Sequence, residues 1–181
     1  IKTNPVEHIR VMPEHEKFRK DLSPQMLKQM ATHLNKVDKP FYLACLMQYY
    51  TLIRPGEMSN LKIGDISIKR QSVFVSKEFS KNHKDAEVGL NKIVIKLMLD
   101  LGIFNYPNDF YLFGSKFKPS KEKYGAYQFN IRWKAMRKAL NWDDCYQFYS
   151  LKDSGIRDLA NAQGVVVARD QARHSDISTT N

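Results

Sequence analysis

The sequence predicts an α+β fold that is mostly helical and contains one small three-stranded antiparallel sheet. Over most of the chain, apolar residues recur at the three-and-four spacing of amphipathic helices. Between residues 66 and 90 the apolar period changes to two, as in short strands joined by turns. The length of 181 residues fits one domain, and 43% hydrophobic residues are enough to build a core.

The first helices are each marked by a proline. Ser23 is expected to cap a helix that starts at Pro24, because proline in the first helical position loses no hydrogen bond. Pro40 opens a second helix, and Pro55-Gly56 is expected to break it. The three predicted helices span residues 24–34, 40–53 and 57–61.

The three strands are predicted from apolar residues that alternate with polar ones. These residues are Ile66 and Ile68, then Val73 and Val75, then Ala86, Val88 and Leu90. Polar turns at 69–71 and 80–85 separate the strands, so antiparallel pairing is expected. A helix over Asn91–Leu101 follows and ends at Gly102. Its predicted inward residues are Ile93, Val94, Leu97 and Met98.

The second half of the sequence predicts a brief extended piece, then an exposed basic loop, and then three more helices. The extended piece is Phe110–Phe113, and the loop covers residues 114–125. The helices are expected over 126–140, over 151–163 with Ser150 as its cap and Gly164 closing it, and over 165–173. Residues 175–181 resemble the opening of a further helix. We expect residues 1–20 to be a lead-in or linker and residues 21–181 to form the domain.

The charge of the chain predicts a polyanionic partner. Lysine and arginine total 29 against 19 acidic residues, which gives a net charge of +10. No apolar run approaches the roughly 18 residues that a membrane helix needs, so no membrane association is expected. Two cysteines, Cys45 and Cys145, are too few for a disulfide scaffold and fit reduced thiols. We therefore expect a cytoplasmic protein.

Two cations, Arg54 and Lys81, lie at predicted turns, and each has both a functional and a structural interpretation. Arg54 ends an apolar helix, where its guanidinium can hold two phosphate oxygens. Alternatively it forms a surface pair with Glu57, which adds well under about 1 kcal/mol. Lys81 lies in the turn between two strands, either as a mobile ammonium that reaches a phosphate or as a solvated charge. Lys84 competes with it for the same role.

Polar donors also collect at two helix starts near the C-terminus, in residues 149–154 and 172–180. Free N–H groups at a helix start, together with hydroxyls and a cation, suit an anionic phosphate. Ordinary capping by Ser150 and by Ser175 or Asp176 explains the same residues equally well.

Three segments together resemble the catalytic domain of the tyrosine recombinases, or phage-type integrases. They are Thr51–Leu61, the hairpin end Val88–Leu90, and His174–Thr180. The resemblance covers about residues 21 to 181 in the family's order. It implies an integrase catalytic-domain fold that is truncated here before the nucleophilic tyrosine, which is expected two residues past Asn181. We therefore expect the 181 residues alone to be inactive.

The resemblance also implies roles for individual residues. Arg54 matches the first catalytic arginine, and His174 matches the late histidine or tryptophan. Lys81 matches the catalytic lysine of the strand turn, with Lys84 as the alternative.

Two positions depart from the family's pattern. Lys152 stands where the second arginine is expected, and it lacks the planar fork of a guanidinium. Tyr149 stands where a histidine or lysine is usual, and it does not titrate near neutrality. Arg173 or Arg157 is a candidate to compensate for these two departures.

The function implied by the resemblance is site-specific DNA recombination or integration without a metal or other cofactor. A tyrosine attacks a DNA phosphodiester and leaves a 3′-phosphotyrosyl link and a free 5′-hydroxyl. Arg54, Lys152 and His174 would stabilise the negative charge on the equatorial oxygens of the phosphate, and Lys81 would act as the general acid. The expected partner is double-stranded DNA, bound by a homotetramer of the full-length protein. The side chains expected to bind DNA are Lys116, Lys118, Arg132 and Arg173.

Two alternatives stay open within DNA chemistry. One is a relative with impaired catalysis that only binds DNA, and the other is a type IB topoisomerase-like strand cleavage. A metal hydrolase is disfavoured, because the five histidines form no pair at i, i+4 spacing with a carboxylate.

Overall fold

A computed structural model of the protein describes residues 19–80 and 82–173. Within these residues seven α-helices surround one three-stranded antiparallel sheet, and the predicted fold class is confirmed. The elements in chain order are α1 (Pro24–Val37), α2 (Lys39–Thr51), α3 (Pro55–Met58), β1 (Ile66–Ser67), β2 (Ser72–Val75), β3 (Ala86–Gly89), α4 (Lys92–Asp100), α5 (Tyr127–Ala139), α6 (Ser150–Gln163) and α7 (Val165–Ala172).

The first two helices begin as their sequences predict. The Ser23 hydroxyl accepts a hydrogen bond from the Met26 amide at 3.2 Å, and Pro24 is the first helical residue. Asp38 caps α2 in the same way. The predicted end of α2 was wrong, because the helix stops at Thr51 and Leu52 turns into the left-handed region at φ 57°. Pro55 therefore begins α3 and does not break α2.

The sheet follows the predicted alternation except at Ile68, which is exposed in the turn after β1. Its strand order is β1-β2-β3, and both pairs are antiparallel. Val73 pairs with Ile66 on one side and with Val88 on the other, so one face of the sheet supplies apolar side chains to the core. The loop between β2 and β3 contains Lys81, which lies outside the described residues.

An aromatic cluster fills the core between α2, α5 and the segment before α5. Ring centroids of neighbouring pairs lie 5.1 to 6.2 Å apart. The members are Phe41, Phe113, Phe117, Phe129 and Phe148. The lysines of the predicted basic loop at 114–125 are exposed, but the loop is not exposed throughout, since Phe117 is buried in a short 3₁₀ turn.

Two further sequence assignments are corrected by the packing. Ile93 is 52% exposed, and Ile95 is buried in its place, because α4 turns a slightly different face to the core. Ser150 is the first residue of α6 and not its cap. Its hydroxyl accepts a hydrogen bond from the Gln147 amide at 3.0 Å.

Helices α2 and α6 approach so closely that one position must be glycine. A Cβ atom at Gly155 would overlap the backbone oxygen of Tyr49 and lie 2.8 Å from a methyl group of Leu52. Further along α6, the Tyr49 hydroxyl donates a hydrogen bond to Asp158 at 2.7 Å. This contact sets the start of α6 beside the end of α2.

The residues just before α1 also contact α6. Leu22 is fully buried, and its amide donates to the Ser154 hydroxyl at 2.8 Å. Arg157 donates to the Leu22 carbonyl at 3.1 Å. The domain limits of 1–20 and 21–181 stay a prediction. No helix in the described part of the chain is long and apolar enough to cross a membrane.

Candidate active site

Arg54 is held at the junction between α2 and α3 by Glu57. The Arg54 amide donates to one carboxylate oxygen of Glu57 at 3.0 Å, and its Nη1 donates to the other at 3.3 Å. Glu57 is only 3% exposed, so this is not the exposed surface pair that was the alternative to a phosphate role. The carboxylate fixes the Arg54 backbone and guanidinium together.

Arg173 joins the same carboxylate from the far end of the chain. It follows α7 with φ 55°, and its Nη2 forms an ion pair with Glu57 Oε2. Burial works to raise the pKa of Glu57, but the Arg54 amide hydrogen bond and the charges of both arginines outweigh burial and lower it. Asn82 donates to the Arg173 carbonyl at 2.8 Å, which brings the β2–β3 loop to this cluster.

Lys152 enters the cluster from the first turn of α6 and is fully buried. Its Nζ has no hydrogen-bond partner among the described residues. Burial, followed by the charges of Arg54 and Arg173, lowers the pKa of Lys152 to about 7, although Glu57 partly opposes the shift. The amine therefore changes its charge near neutral pH.

Tyr149 lies just before α6 and lines the same cluster. The Arg19 guanidinium lies 4.5 Å from its ring centroid, and Lys152 Nζ lies 5.9 Å from it. Burial raises the pKa of the Tyr149 hydroxyl, and the charge of Arg54 and a hydrogen bond from it partly oppose that change. Arg19 also forms an ion pair with Asp153 on α6.

The structure brings together some predicted catalytic residues and leaves others aside. Arg54, Tyr149 and Lys152 share one cluster, and their catalytic roles stay a prediction. Lys81 and His174 lie outside the described residues. Lys84 is exposed in the β2–β3 loop.

The four residues expected to bind DNA occupy different environments. Lys116 and Lys118 are exposed beside the buried Phe117. Arg132 pairs with Asp38 at 3.4 Å. Asp38 caps the start of α2, whereas Arg54 follows the other end of that helix. That helix has 13 residues, so Arg132 is about 20 Å from the cluster along it. Arg173 faces inward, with only 12% of its side chain exposed.

Two members of the cluster were not predicted from the sequence. Glu57 was considered only as a surface partner, yet it is the carboxylate that holds both arginines. The signal was present, because a glutamate at the third helical position commonly accepts a hydrogen bond from the residue before the helix. Arg19 carried no comparable signal.

The cluster as a whole suits a multivalent anion. Arg54 and Arg173 both pair with Glu57, and the buried Lys152 lies near all three in a site with little access to water. Fixed cations in such a site stabilise charge that develops on a bound phosphate. In residues 19–80 and 82–173, no three side chains of the metal-ligating types group together.

Several solved structures share this fold. The XerA recombinase is 20% identical with a TM-score of 0.75, and the match covers 89% of this chain and 58% of that one. The Tn1549 transposon integrase in complex with transposon right end DNA is 16% identical with a TM-score of 0.77, covering 99% and 66%. A lambda integrase tetramer bound to a Holliday junction is 16% identical with a TM-score of 0.77, covering 98% and 53%.

These likenesses establish the fold, and the chain spans 53% to 66% of the length of the three structures. No curated protein matches the sequence. The family model described as the phage integrase family matches residues 17–181. A match over nearly the whole chain shows the family, and the chain belongs to the phage integrase family of tyrosine recombinases.

Proposed function

We propose that this domain cleaves and rejoins double-stranded DNA during site-specific recombination or integration. The observation that carries the proposal is the convergence of Arg54 and Lys152 in one buried cluster. They come from the junction after α2 and from the start of α6, and no intrahelical or local contact requires them to meet. An unpartnered buried ammonium beside a guanidinium is suited to a phosphate group.

The proposed reaction is a transesterification at phosphorus. A tyrosine following Asn181 attacks, so that its phenolic oxygen forms a bond to phosphorus while the bond to the 5′-oxygen breaks. Negative charge grows on the non-bridging oxygens, and Arg54, Lys152 as its ammonium, and His174 stabilise it. Lys81 gives a proton to the departing 5′-oxygen. The phosphotyrosyl link keeps the bond energy, so the reverse step reseals DNA without a cofactor.

The proposed partner and assembly have separate support. The net charge of +10 favours a polyanion. The Tn1549 integrase and the lambda integrase, which share this fold, are described as bound to transposon right end DNA and to a Holliday junction. The lambda integrase is described as a tetramer, and we propose a homotetramer on DNA for the full-length protein.

The experiment described below also distinguishes two other functions. The departures from the family's pattern at Lys152 and Tyr149 motivate the first alternative, a relative that binds DNA without cleaving it. The second alternative is a type IB topoisomerase-like activity, which shares the phosphotyrosine chemistry.

The test uses the full-length protein and a pool of nicked duplexes with end-labelled strands and randomised sequence. We expect a covalent protein–DNA adduct on a denaturing gel. Arg54→Ala should abolish the adduct, because the fixed charge at phosphorus is worth at least about 100-fold in rate. DNA binding should fall less than about tenfold, because most phosphate contacts lie elsewhere.

The matched control is Arg70→Ala, which removes an arginine that lies on the sheet side and pairs with Glu87 at 2.8 Å. Its adduct yield should equal that of the wild type. Binding without any adduct would favour the binding-only relative. Relaxation of supercoiled DNA without strand exchange between two duplexes would favour the topoisomerase-like activity.

A further inference from the structure

Arg173 is tethered in the candidate active site by contacts at both its backbone and its side chain. Its carbonyl accepts a hydrogen bond from Asn82 at 2.8 Å, and its Nη2 pairs with Glu57. Its backbone takes the left-handed conformation at φ 55°, which only a few per cent of non-glycine residues adopt. These contacts hold the guanidinium in one place beside Lys152 and Arg54.

The Arg173 guanidinium has further donor nitrogens besides Nη2. Nε and Nη1 of Arg173 are buried and have no hydrogen-bond partner among the described residues. The same is true of Lys152 Nζ. Buried polar groups are nearly always hydrogen-bonded, so three unsatisfied nitrogens in one cluster indicate an acceptor that binds there. An anionic acceptor suits these donors, because Arg54 and Arg173 already place two positive charges against the one carboxylate of Glu57.

The chemistry of position 152 explains why a further guanidinium is useful. A lysine there supplies one compact charge, and burial favours the loss of its proton near neutral pH. An arginine stays charged at every relevant pH. Arg173 thus supplies the permanent charge that Lys152 does not.

We propose that Arg173 is a catalytic residue of this protein that donates a hydrogen bond to a non-bridging oxygen of the scissile phosphate. Glu57 holds Arg173 through Nη2, and Nη1 is left to donate to the phosphate. This inference deepens the proposed function and rests on it for the cleavage step, although phosphate binding tests it independently.

The first experiment measures the binding of inorganic phosphate to the full-length protein by titration calorimetry. Arg173→Ala should weaken phosphate binding at least about tenfold, because a charge-assisted hydrogen bond is lost. The control is Arg169→Ala, one turn earlier on α7, where the arginine pairs with the neighbouring Asp170. The control should bind phosphate within about twofold of the wild type.

The second experiment measures adduct formation on nicked DNA with a phosphodiester or an uncharged methylphosphonate at the cleavage point. With the phosphodiester, Arg173→Ala should slow the reaction about 100-fold. With one methylphosphonate diastereomer the difference from wild type should shrink to about threefold or less, because the charge that Arg173 neutralises is absent. A merely structural role would slow both substrates equally.

The outcomes separate this inference from the proposed function. Loss of phosphate binding in Arg173→Ala without any adduct in the wild type would support the phosphate contact of Arg173 but contradict the proposed function and, with it, the catalytic role. An adduct in the wild type that Arg173→Ala leaves within about threefold, with unchanged phosphate binding, would overturn the inference alone. If Arg173→Ala does not fold, Arg173→Gln keeps a donor for Glu57 but removes the charge, and the same two comparisons apply.

Discussion

Lys152 shows how burial changes the chemistry of a single side chain. The lysine has no exposed surface, and Arg54 and Arg173 stand near its amine with Glu57 as the opposing charge. Asp153, next in sequence, adds a weaker opposing charge. Because the pKa is lowered to about 7, only about half of the free protein has the ammonium form at neutral pH.

This titration predicts that DNA cleavage weakens as the pH rises above 7. A DNA phosphate binds the ammonium form, so the free protein must take up a proton to bind it at higher pH. The second-order rate of adduct formation should fall by at most about tenfold per pH unit between 7 and 9. Lys152→Arg, which keeps its charge, should show a flatter profile over this range when both are measured on the same nicked DNA.

A thermal melt of Lys152→Arg provides the control for folding, since the larger side chain must fit a buried site. If the folded variant shows the same decline as the wild type, another group titrates in this range and Lys152 does not control the rate.

At the scale of elements, the site depends on how closely α6 lies against α2. Gly155 permits the contact with the Tyr49 carbonyl, and Leu52 packs with Ile156 in the same region. Arg54 follows α2, and Lys152 lies in the first turn of α6. The separation of the two helices therefore sets the separation of the two cations.

Gly155→Ala should destabilise the fold by about 1–3 kcal/mol, because the added methyl group overlaps backbone that cannot rotate away. Urea unfolding followed by circular dichroism measures this loss. The matched control is Gly56→Ala, where a Cβ atom meets nothing within 4 Å and φ is not positive. A midpoint for Gly155→Ala equal to that of the Gly56→Ala control would show that the helices are not in close contact.

At the scale of the whole molecule, the positive charge is divided between the buried cluster and the surface. Lys116 and Lys118 are exposed next to a buried phenylalanine, whereas Arg132 is engaged with Asp38. The two lysines are free to neutralise DNA phosphates, and the arginine must give up an ion pair to do so.

The salt dependence of DNA binding distinguishes these two groups. Replacing both Lys116 and Lys118 by glutamine should reduce the slope of log K against log salt by up to about 1.8, at about 0.9 per phosphate contact. Arg132→Gln should change the slope by less. Fluorescence anisotropy with a labelled duplex at several salt concentrations measures both variants, and a larger effect of Arg132→Gln would contradict this division.

The sequence alone determined the fold class and most helix starts, because these depend on local chemistry. Ser23 and Pro24 define the start of α1 without help from distant residues, and the alternation around Val73 predicts a strand wherever it lies. The resemblance to the family also implies a catalytic role for Lys152, which stays a prediction.

Only the tertiary structure decided which charged residues face the site and which face water. Arg173 and Arg132 look alike as sequence positions, yet Arg173 pairs with the buried Glu57 and Arg132 with the half-buried Asp38. Likewise, α4 buries Ile95 and exposes Ile93, although both are isoleucines on one helix. The physical reason is the same in each case, because burial and electrostatic partners come from segments far away in the chain.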